Sequence, residues 1–138
     1  MEFICKNEKQ TKKFAKKFAK KLNGGEIILL IGDLGAGKTT FTKSVAKYLK
    51  IKEHITSPTF TMVNEYHSGR LVLYHFDMYR IEDDSEAREI GLEEYFNSNA
   101  VCMIEWPERI ERLLPKNRIE IKIEKIDETS RKFIVSKV

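Results

Sequence analysis

The segment IGDLGAGKTTF, residues 31–41, constrains the fold of this chain more than any other feature. It contains the complete pattern G-x-x-x-x-G-K-[ST], whose fixed positions are Gly32, Gly37, Lys38 and Thr39. An unbroken apolar run, Ile27–Ile31, precedes the pattern and predicts a strand that is covered on both faces of a parallel sheet. The apolar stripe of residues 38–49 predicts a helix directly after it. A strand, a glycine-rich turn and a helix in this order predict a phosphate-binding loop in an α/β fold.

Residues 32–39, which we call the glycine-rich loop, also predict how a nucleoside triphosphate is held. Glycines let successive backbone N–H groups face inward, and the N-terminus of the following helix adds the positive end of its dipole. In loops of this type the lysine, here Lys38, contacts the β and γ phosphates as a point charge. The hydroxyl group that follows it, here on Thr39, binds Mg²⁺. We therefore expect a nucleoside triphosphate and Mg²⁺ as ligands.

Two acidic residues are candidates for the carboxylate that such a loop needs for its metal. Asp77 ends the apolar segment LVLYHFD, and Glu105 ends the apolar segment VCMIE. Both positions predict a side chain at the C-terminal edge of a strand, where ligands bind in open α/β sheets. The spacing of the two residues does not rank them, so both remain candidates.

Motifs that the sequence lacks narrow the class of function. The guanine-specifying motif N-K-x-D and the switch motif D-x-x-G of GTPases are both absent, which favours adenine as the base. Small-molecule kinases usually carry an arginine-rich lid and an acceptor-binding segment, for which a chain of 138 residues has little room. An ATPase that works as a conformational switch is therefore the first hypothesis. A small-molecule kinase is the alternative among enzymes.

Length and composition indicate one globular domain, residues 1–138, in a reducing compartment. A chain of 138 residues is long enough for one hydrophobic core and too short for two ordinary domains. Its two cysteines, Cys5 and Cys102, are far apart and belong to no zinc-binding or disulfide pattern. No segment has the apolar length typical of a signal peptide or a membrane span. We therefore expect a cytoplasmic protein that does not associate with a membrane.

A strongly basic amphipathic helix is predicted near the N-terminus. The segment TKKFAKKFAKKL, residues 11–22, has apolar residues at helical spacing and six lysines between them: Lys12, Lys13, Lys16, Lys17, Lys20 and Lys21. Asn7 with Gln10 predicts a capping box at its start, and residues 23–25 predict its end. The formal net charge of the whole chain is only +4. A solvated surface is the simpler interpretation of the lysines, and contact with RNA or an acidic partner is the alternative.

The rest of the chain predicts a sheet that is wider than a simple βαβ repeat. Residues 56–66 and 71–80 predict an antiparallel hairpin. The elements expected after it are a helical region at 84–96, a strand at 101–106, a proline-started helix at 107–114, and closing strands at 118–126 and 131–138. The predicted fold class is α/β, a single domain of the P-loop NTPase type. Its sheet is mixed and mostly parallel, with an antiparallel hairpin and flanking helices.

Five motifs follow one another at compact spacing: GDLGAGKTT, TSPTFT, YHFDMYR, EIGLEEYF and IEWPER. In this order they resemble the bacterial TsaE family, formerly YjeE, over residues 32 to about 109. The resemblance implies a small P-loop ATPase that binds ATP and Mg²⁺ and acts with the TsaD–TsaB heterodimer, downstream of TsaC-type synthases. It implies a role in forming N6-threonylcarbamoyladenosine at adenosine 37 of tRNAs that read codons starting with A, with tRNA contacted through that complex.

The resemblance also implies roles for individual residues. The nucleotide-binding residues that it implies are Thr11, Leu34, Gly35, Ala36, Gly37, Lys38, Thr39, Thr40 and Arg131. Thr39 and Glu105 match the magnesium ligands, which favours Glu105 as the direct ligand. Asp77 matches an acid that the family needs for ATP hydrolysis, where it would position water or the metal, so Lys38 and Asp77 are the expected catalytic residues. The segment SPTF, residues 57–60, matches a switch loop in which Thr59 senses the γ-phosphate, and a plain turn after Pro58 is the alternative from the residues alone.

The expected activity is slow ATP hydrolysis that drives or resets the TsaD–TsaB complex. We expect a low rate from the protein alone, because no arginine finger follows the glycine-rich loop in the sequence. The rival from a different class is an RNA-binding accessory protein. In that protein the lysines of residues 12–21 would contact tRNA, and the nucleotide would only regulate the affinity.

Overall fold

Seven strands and four α-helices are present in the described part of the chain, residues 1–58 and 60–137 of a computed structural model. The strands are β1 (Glu2–Cys5), β2 (Ile27–Ile31), β3 (Val63–Tyr66), β4 (Leu73–Asp77), β5 (Val101–Glu105), β6 (Ile119–Lys125) and β7 (Arg131–Lys137). The α-helices are α1 (Glu8–Lys20), α2 (Lys38–Tyr48), α3 (Ser85–Glu89) and α4 (Leu92–Phe96). A 3-10 helix covers Pro107–Leu113.

These strands form one mixed sheet in the order β1-β7-β6-β2-β5-β4-β3. Its centre is parallel, because β2 runs in the same direction as its neighbours β5 and β6, and β5 in the same direction as β4. Its margins are antiparallel, with β3 on β4 at one side and β7 on β6 and β1 on β7 at the other. This arrangement confirms the predicted α/β class, with a parallel core, an antiparallel hairpin and flanking helices.

The sheet separates two hydrophobic clusters, and successive residues of β2 alternate between them. Ile28 and Leu30 belong to the cluster on the side of α1 and α2. Ile27 and Leu29 belong to the cluster on the side of α3 and α4. All four side chains are buried, because both faces of the strand are covered. The continuous apolar run therefore predicted this strand correctly.

Helix α1 has the two faces that its sequence predicts. Its alanines are buried, whereas its lysines are exposed. Asn7 caps the helix, because its Oδ1 accepts a 2.9 Å hydrogen bond from the Gln10 N–H. The return bond differs from that of a capping box, since the Gln10 side chain accepts the N–H of Lys6 at 2.8 Å rather than that of Asn7.

Two strands differ from the sequence prediction. The sequence does not predict β1, because four residues are too few to show an alternating pattern, and this strand pairs only with β7 at the margin of the sheet. The first strand of the hairpin begins at Val63 rather than at residue 56. Before it, the Met62 N–H donates to the Pro58 carbonyl oxygen at 2.8 Å, and Met62 has a left-handed backbone with a φ of 67°. The chain therefore turns where the residue types alone favour an extended strand.

Two predicted helices are also corrected. The region 84–96 forms the separate helices α3 and α4, because Gly91 between them has a φ of 79°, which lies outside the α-helical range. The segment predicted as a helix at 107–114 is the 3-10 helix, with a non-helical φ of −130° at Ile110. Ile110 is buried in the cluster beside the sheet, so tertiary packing overrides helix propensity there. No helix in the described residues is long and apolar enough to cross a membrane.

Candidate functional site

The glycine-rich loop joins the C-terminal end of β2 to the N-terminus of α2. Gly37 is the N-cap of α2 and has a φ of 102°, which a residue with a side chain adopts only with strain. Within the described residues, no side chain caps this helix. The first backbone N–H groups of α2 are therefore available to an anion at the positive end of the helix dipole.

The first glycine of the pattern is required by close packing. A Cβ atom at Gly32 would lie 2.7 Å from the carbonyl oxygen of Ile123 and 3.1 Å from the Cβ of Ala36. Ile123 belongs to β6, the strand next to β2. The loop therefore leaves the sheet against the backbone of the neighbouring strand, and a larger residue would have to displace that strand.

Lys38 is the first residue of α2, and its ammonium group points back into the loop. Its Nζ donates a 2.8 Å hydrogen bond to the Gly32 carbonyl oxygen and lies 3.7 Å from the centre of the Trp106 ring. Burial lowers the pKa of Lys38, and nearby carboxylates, first among them that of Glu105, act in the opposite direction. The positive charge of Lys38, which could bind a phosphate, therefore lies next to the backbone of the glycine-rich loop.

Thr39 and Glu105 bring a hydroxyl group and a carboxylate together beside the loop. The Thr39 Oγ1 donates to the carboxylate of Glu105, at 3.1 Å from Oε2 and 3.3 Å from Oε1. Glu105 is the last residue of β5 and pairs with Leu30 of β2, so strand order places it directly beside the start of the loop. Its side chain is buried. Hard oxygen groups of this kind are the protein ligands that Mg²⁺ prefers.

Asp77 lies one strand further along the same edge, opposite Glu105 in the β4–β5 pairing. Its carboxylate accepts hydrogen bonds from the Ser57 hydroxyl group at 3.1 Å and from the Tyr79 N–H at 3.0 Å. The two candidate acids are therefore neighbours, but the contact with Thr39 is made by Glu105. Thr59, the expected γ-phosphate sensor, lies outside the described residues, and its role stays a prediction.

His75 is a member of the site to which the sequence assigned no role. It is fully buried on β4, and its Nε2 lies 2.6 Å from the Oε2 of Glu105. One signal was present in the sequence, because His75 and Asp77 are two residues apart on a strand and therefore face the same side of the sheet. The contact with Glu105 itself required the pairing of β4 with β5.

Trp106 covers the ammonium group of Lys38. A single tryptophan after an apolar strand is typical of packing. The residue has a left-handed backbone with a φ of 58°, and its ring also packs against that of Tyr79 at 4.9 Å between centroids. The position at the end of β5 thus combines packing with a cation–π contact to Lys38.

The two outlying nucleotide-binding candidates, Thr11 and Arg131, lie near each other at the margin of the sheet. Arg131 contacts the loop directly, because its Nε donates to the Ala36 carbonyl oxygen at 2.9 Å. Thr11 is buried on α1, where its hydroxyl group donates to the Asn7 carbonyl oxygen at 3.3 Å and also contacts Cys5. Cys5 pairs with Arg131 in the sheet. Arg131 therefore contacts the loop, whereas Thr11 contacts Asn7 and Cys5.

The remaining candidates follow the course of the loop and of the first turn of α2. Leu34 and Gly35 are exposed, and a Cβ atom at Gly35 would meet nothing within 4 Å. Ala36 is buried, and Thr40 is exposed. No described residues form a cluster of three histidine, cysteine, aspartate or glutamate side chains suited to a metal ion. Mg²⁺ bound to a triphosphate does not require such a cluster, since phosphate oxygens and water supply most of its ligands. Thr39 and Glu105 therefore fit this metal.

Comparisons with a family model and with known proteins point to the same family. Residues 5–133 match the family model described as "Threonylcarbamoyl adenosine biosynthesis protein TsaE". The tRNA threonylcarbamoyladenosine biosynthesis protein TsaE of Bacillus subtilis is 46% identical over 132 residues, which are 96% of this chain and 82% of that protein. The protein of the same name from Treponema pallidum is 37% identical over 136 residues, 99% of this chain and 100% of the relative.

The three-dimensional comparison agrees with the sequence comparison. The crystal structure of Bacillus subtilis YdiB matches this fold with a TM-score of 0.86 and 38% sequence identity. The match covers 100% of this chain and 85% of that one. The motifs, the matched residues and the shared fold thus lead to one conclusion: the chain belongs to the TsaE family of tRNA threonylcarbamoyladenosine biosynthesis proteins.

Proposed function

We propose that this chain is a Mg²⁺-dependent ATPase that drives or resets a TsaD–TsaB complex during threonylcarbamoylation of adenosine 37 in tRNA. The contact between Thr39 and Glu105 beside the glycine-rich loop carries this proposal. It joins a hydroxyl group at the start of a helix to a carboxylate at the end of the adjacent strand, which is the pair that P-loop ATPases use at their metal. Membership of the family supports the role in tRNA modification.

In this mechanism the chain binds and orients the triphosphate. The N–H groups at the start of α2 and the ammonium group of Lys38 bind the phosphates. Bound Mg²⁺, held by Thr39 and Glu105, would neutralise charge on the β and γ phosphates. We assign orientation of the attacking water to Asp77, because its carboxylate lies at the same edge as Glu105.

We expect slow hydrolysis by the protein alone, because the arginine that contacts the glycine-rich loop, Arg131, is already engaged in other hydrogen bonds. Arg131 contacts the loop, but its guanidinium group already donates to three carbonyl oxygens, those of Ala36, Asp127 and Ser130. Arginine fingers supply about 10³–10⁵-fold in related enzymes, so a protein without one hydrolyses its nucleotide slowly. We propose that the γ-phosphate serves as a conformational signal to the partner complex, in the cytoplasm, and not as a group for transfer.

Reconstitution with TsaD and TsaB tests the whole proposal. We expect more than one modified tRNA per TsaD only when this chain and ATP are both present, because each ATP hydrolysed resets one complex. The measurement counts threonylcarbamoylated tRNA and free phosphate in the same reaction. An unchanged number of modified tRNAs would contradict the proposal, and a phosphorylated acceptor in place of free phosphate would favour the kinase alternative.

The RNA-binding alternative depends on the basic surface of α1. Lys13, Lys17 and Lys21 line a groove of about 1280 Å³ between this helix and β1, and Lys16 and Lys20 are exposed beside them. Lysines that neutralise phosphates release counterions, so affinity for tRNA would fall steeply with salt. A solvated surface predicts no such dependence.

We expect the double substitution Lys16→Ala and Lys20→Ala to leave the affinity of the isolated chain for tRNA, and its salt dependence, unchanged. The measurement is a titration of labelled tRNA at several salt concentrations. Lys43→Ala with Lys47→Ala is the matched control, because these lysines are also exposed and four residues apart on a helix. A loss of affinity confined to the α1 pair, with a salt slope lower by roughly 1 per lysine, would favour the RNA-binding protein instead.

A further inference from the structure

His75 is a buried ionisable residue that the mechanism above does not use. Its side chain is fully buried, and its Nε2 lies 2.6 Å from the Oε2 of Glu105. Among the described residues, its Nδ1 is buried and has no hydrogen-bond partner. Within residues 1–58 and 60–137 the ring therefore has one polar contact, which joins its Nε2 to the carboxylate next to Thr39.

We propose that His75 is the positioning residue for Glu105. Its imidazole holds the carboxylate through Oε2 and so fixes the orientation of that carboxylate beside Thr39. The inference rests on the proposed function, in which Glu105 and Thr39 are the protein ligands of Mg²⁺. In this inference His75 contacts neither the metal nor the nucleotide, and it orients Glu105, which is one of the metal ligands.

Strand pairing explains why this contact is rigid. Asp77 is the direct partner of Glu105 across β4 and β5, and His75 lies two residues before Asp77 on the same face. Both backbones are held in the parallel centre of the sheet, so the imidazole and the carboxylate have little freedom to separate.

The hydrogen-bond pattern indicates which nitrogen carries the proton. A neutral imidazole donates through one nitrogen and accepts through the other. An N–H at Nδ1 would be a buried donor without a partner, whereas an unprotonated Nδ1 loses less by being unpaired. The tautomer assigned from these contacts therefore has its proton on Nε2, from which it donates to Glu105.

The same contacts argue against His75 as a direct ligand. Its Nε2 is already occupied by the carboxylate at 2.6 Å. Imidazole nitrogen also suits zinc, copper and nickel better than Mg²⁺, which prefers oxygen. Hydrogen bonds to a ligating carboxylate from a residue behind it are a recurring way to fix that ligand, and their removal typically weakens metal affinity about 10–100-fold.

Glu105 has few other constraints on its orientation. The Thr39 hydroxyl group contacts both of its oxygens at similar distances, so this contact does not select one of them. Oε1 has only the 3.3 Å contact with Thr39 in the described part of the chain. Among the hydrogen bonds of the described residues, the bond from His75 is therefore the one that distinguishes the two oxygens.

Three variants separate positioning from packing. His75→Leu removes the donor, His75→Asn has an amide that is too short to occupy the Nε2 position, and His75→Gln can place an amide N–H there. Each variant is titrated with Mg²⁺ in the presence of a non-hydrolysable ATP analogue by calorimetry, and its binding of the analogue in EDTA and its Tm are recorded. Phe76→Leu is the control, because Phe76 is equally buried on β4 but faces the other side of the sheet.

We expect the Mg²⁺ dissociation constant to rise about 10-fold or more in His75→Leu and His75→Asn, and to stay close to the wild-type value in His75→Gln. Binding of the analogue in EDTA should be unchanged in all three. Phe76→Leu should lower Tm without changing Mg²⁺ affinity. In a Glu105→Ala background, which leaves no group for His75 to hold, His75→Leu should cause no further loss, because His75 acts only through that carboxylate.

Two results would overturn the inference while leaving the proposed function intact. One is a wild-type Mg²⁺ affinity in His75→Leu. The other is an equal loss in all three His75 variants that follows their Tm, which would indicate packing alone. A wild-type protein whose binding of the analogue is insensitive to Mg²⁺ would instead overturn the proposed function, and the inference with it.

Discussion

Replacement of Lys38 by methionine is expected to lower ATP hydrolysis by about 100-fold or more, even in the presence of the partner complex. The loss of one preorganised charge at a developing negative charge typically costs about 10²–10³-fold in rate. Methionine is the better substitution than alanine, because it keeps most of the buried volume next to the Trp106 ring. Phosphate release is the measurement, with Tm as the check on folding.

The matched control for Lys38 is Lys43→Met, an exposed lysine on the same helix. It changes the net charge by the same amount without touching the loop. Lys38→Met should fold at least as well as the control, because burial penalises the charge at residue 38 and lowers its pKa. Unchanged hydrolysis in Lys38→Met would rule out the glycine-rich loop as the phosphate site.

The second large effect is expected at Glu105. Glu105→Gln keeps the side-chain size and an oxygen that can accept from His75, but it removes the negative charge. We expect the Mg²⁺ concentration needed for half-maximal activity to rise at least about 10-fold, since even residues behind a metal ligand contribute that much. Binding of ATP without metal should change little. Magnesium titrations of activity and of nucleotide binding measure the two effects separately.

Asp77→Asn is the informative comparison for Glu105→Gln. We assign Asp77 to water and not to metal, so this variant should lose hydrolysis while its Mg²⁺ titration stays close to that of the wild type. Glu108→Gln controls for the loss of a negative charge near Lys38, because Glu108 is exposed and acts on that lysine only at a distance. If Asp77→Asn shifted the magnesium titration and Glu105→Gln did not, the two roles would be exchanged.

Strand order explains why the spacing of the two acids did not rank them, so that only the family resemblance favoured Glu105. Asp77 and Glu105 each end an apolar strand, and nothing in their spacing shows which strand is adjacent to β2. In the sheet the order is β2-β5-β4, so Glu105 contacts Thr39 and Asp77 lies one strand further away. The missed contact of His75 has the same origin, because it crosses from β4 to β5.

The secondary-structure elements fall into the same two groups: some were predictable from local sequence pattern, and others depend on long-range packing. The buried strand β2, the loop and α2 were predicted because their signals lie within about twenty neighbouring residues. β1 forms only because β7, at the other end of the chain, offers its edge, with Glu2 paired to Ile134. The break at Gly91 and the 3-10 geometry at Ile110 likewise depend on backbone angles and packing. Propensity averaged over a window does not resolve such positions.

The amino-acid sequence by itself determined the class of fold, the glycine-rich loop with Lys38 and Thr39, and the two acids among which the metal ligand was sought. These features depend on residue types within short segments. The residue types of such a segment restrict its backbone to few conformations. Only the tertiary structure decided that Glu105 is the acid that contacts Thr39, that His75 contacts Glu105, and that Arg131 contacts the loop. Each of these contacts joins residues at least thirty positions apart, whose proximity is set by strand order in the sheet.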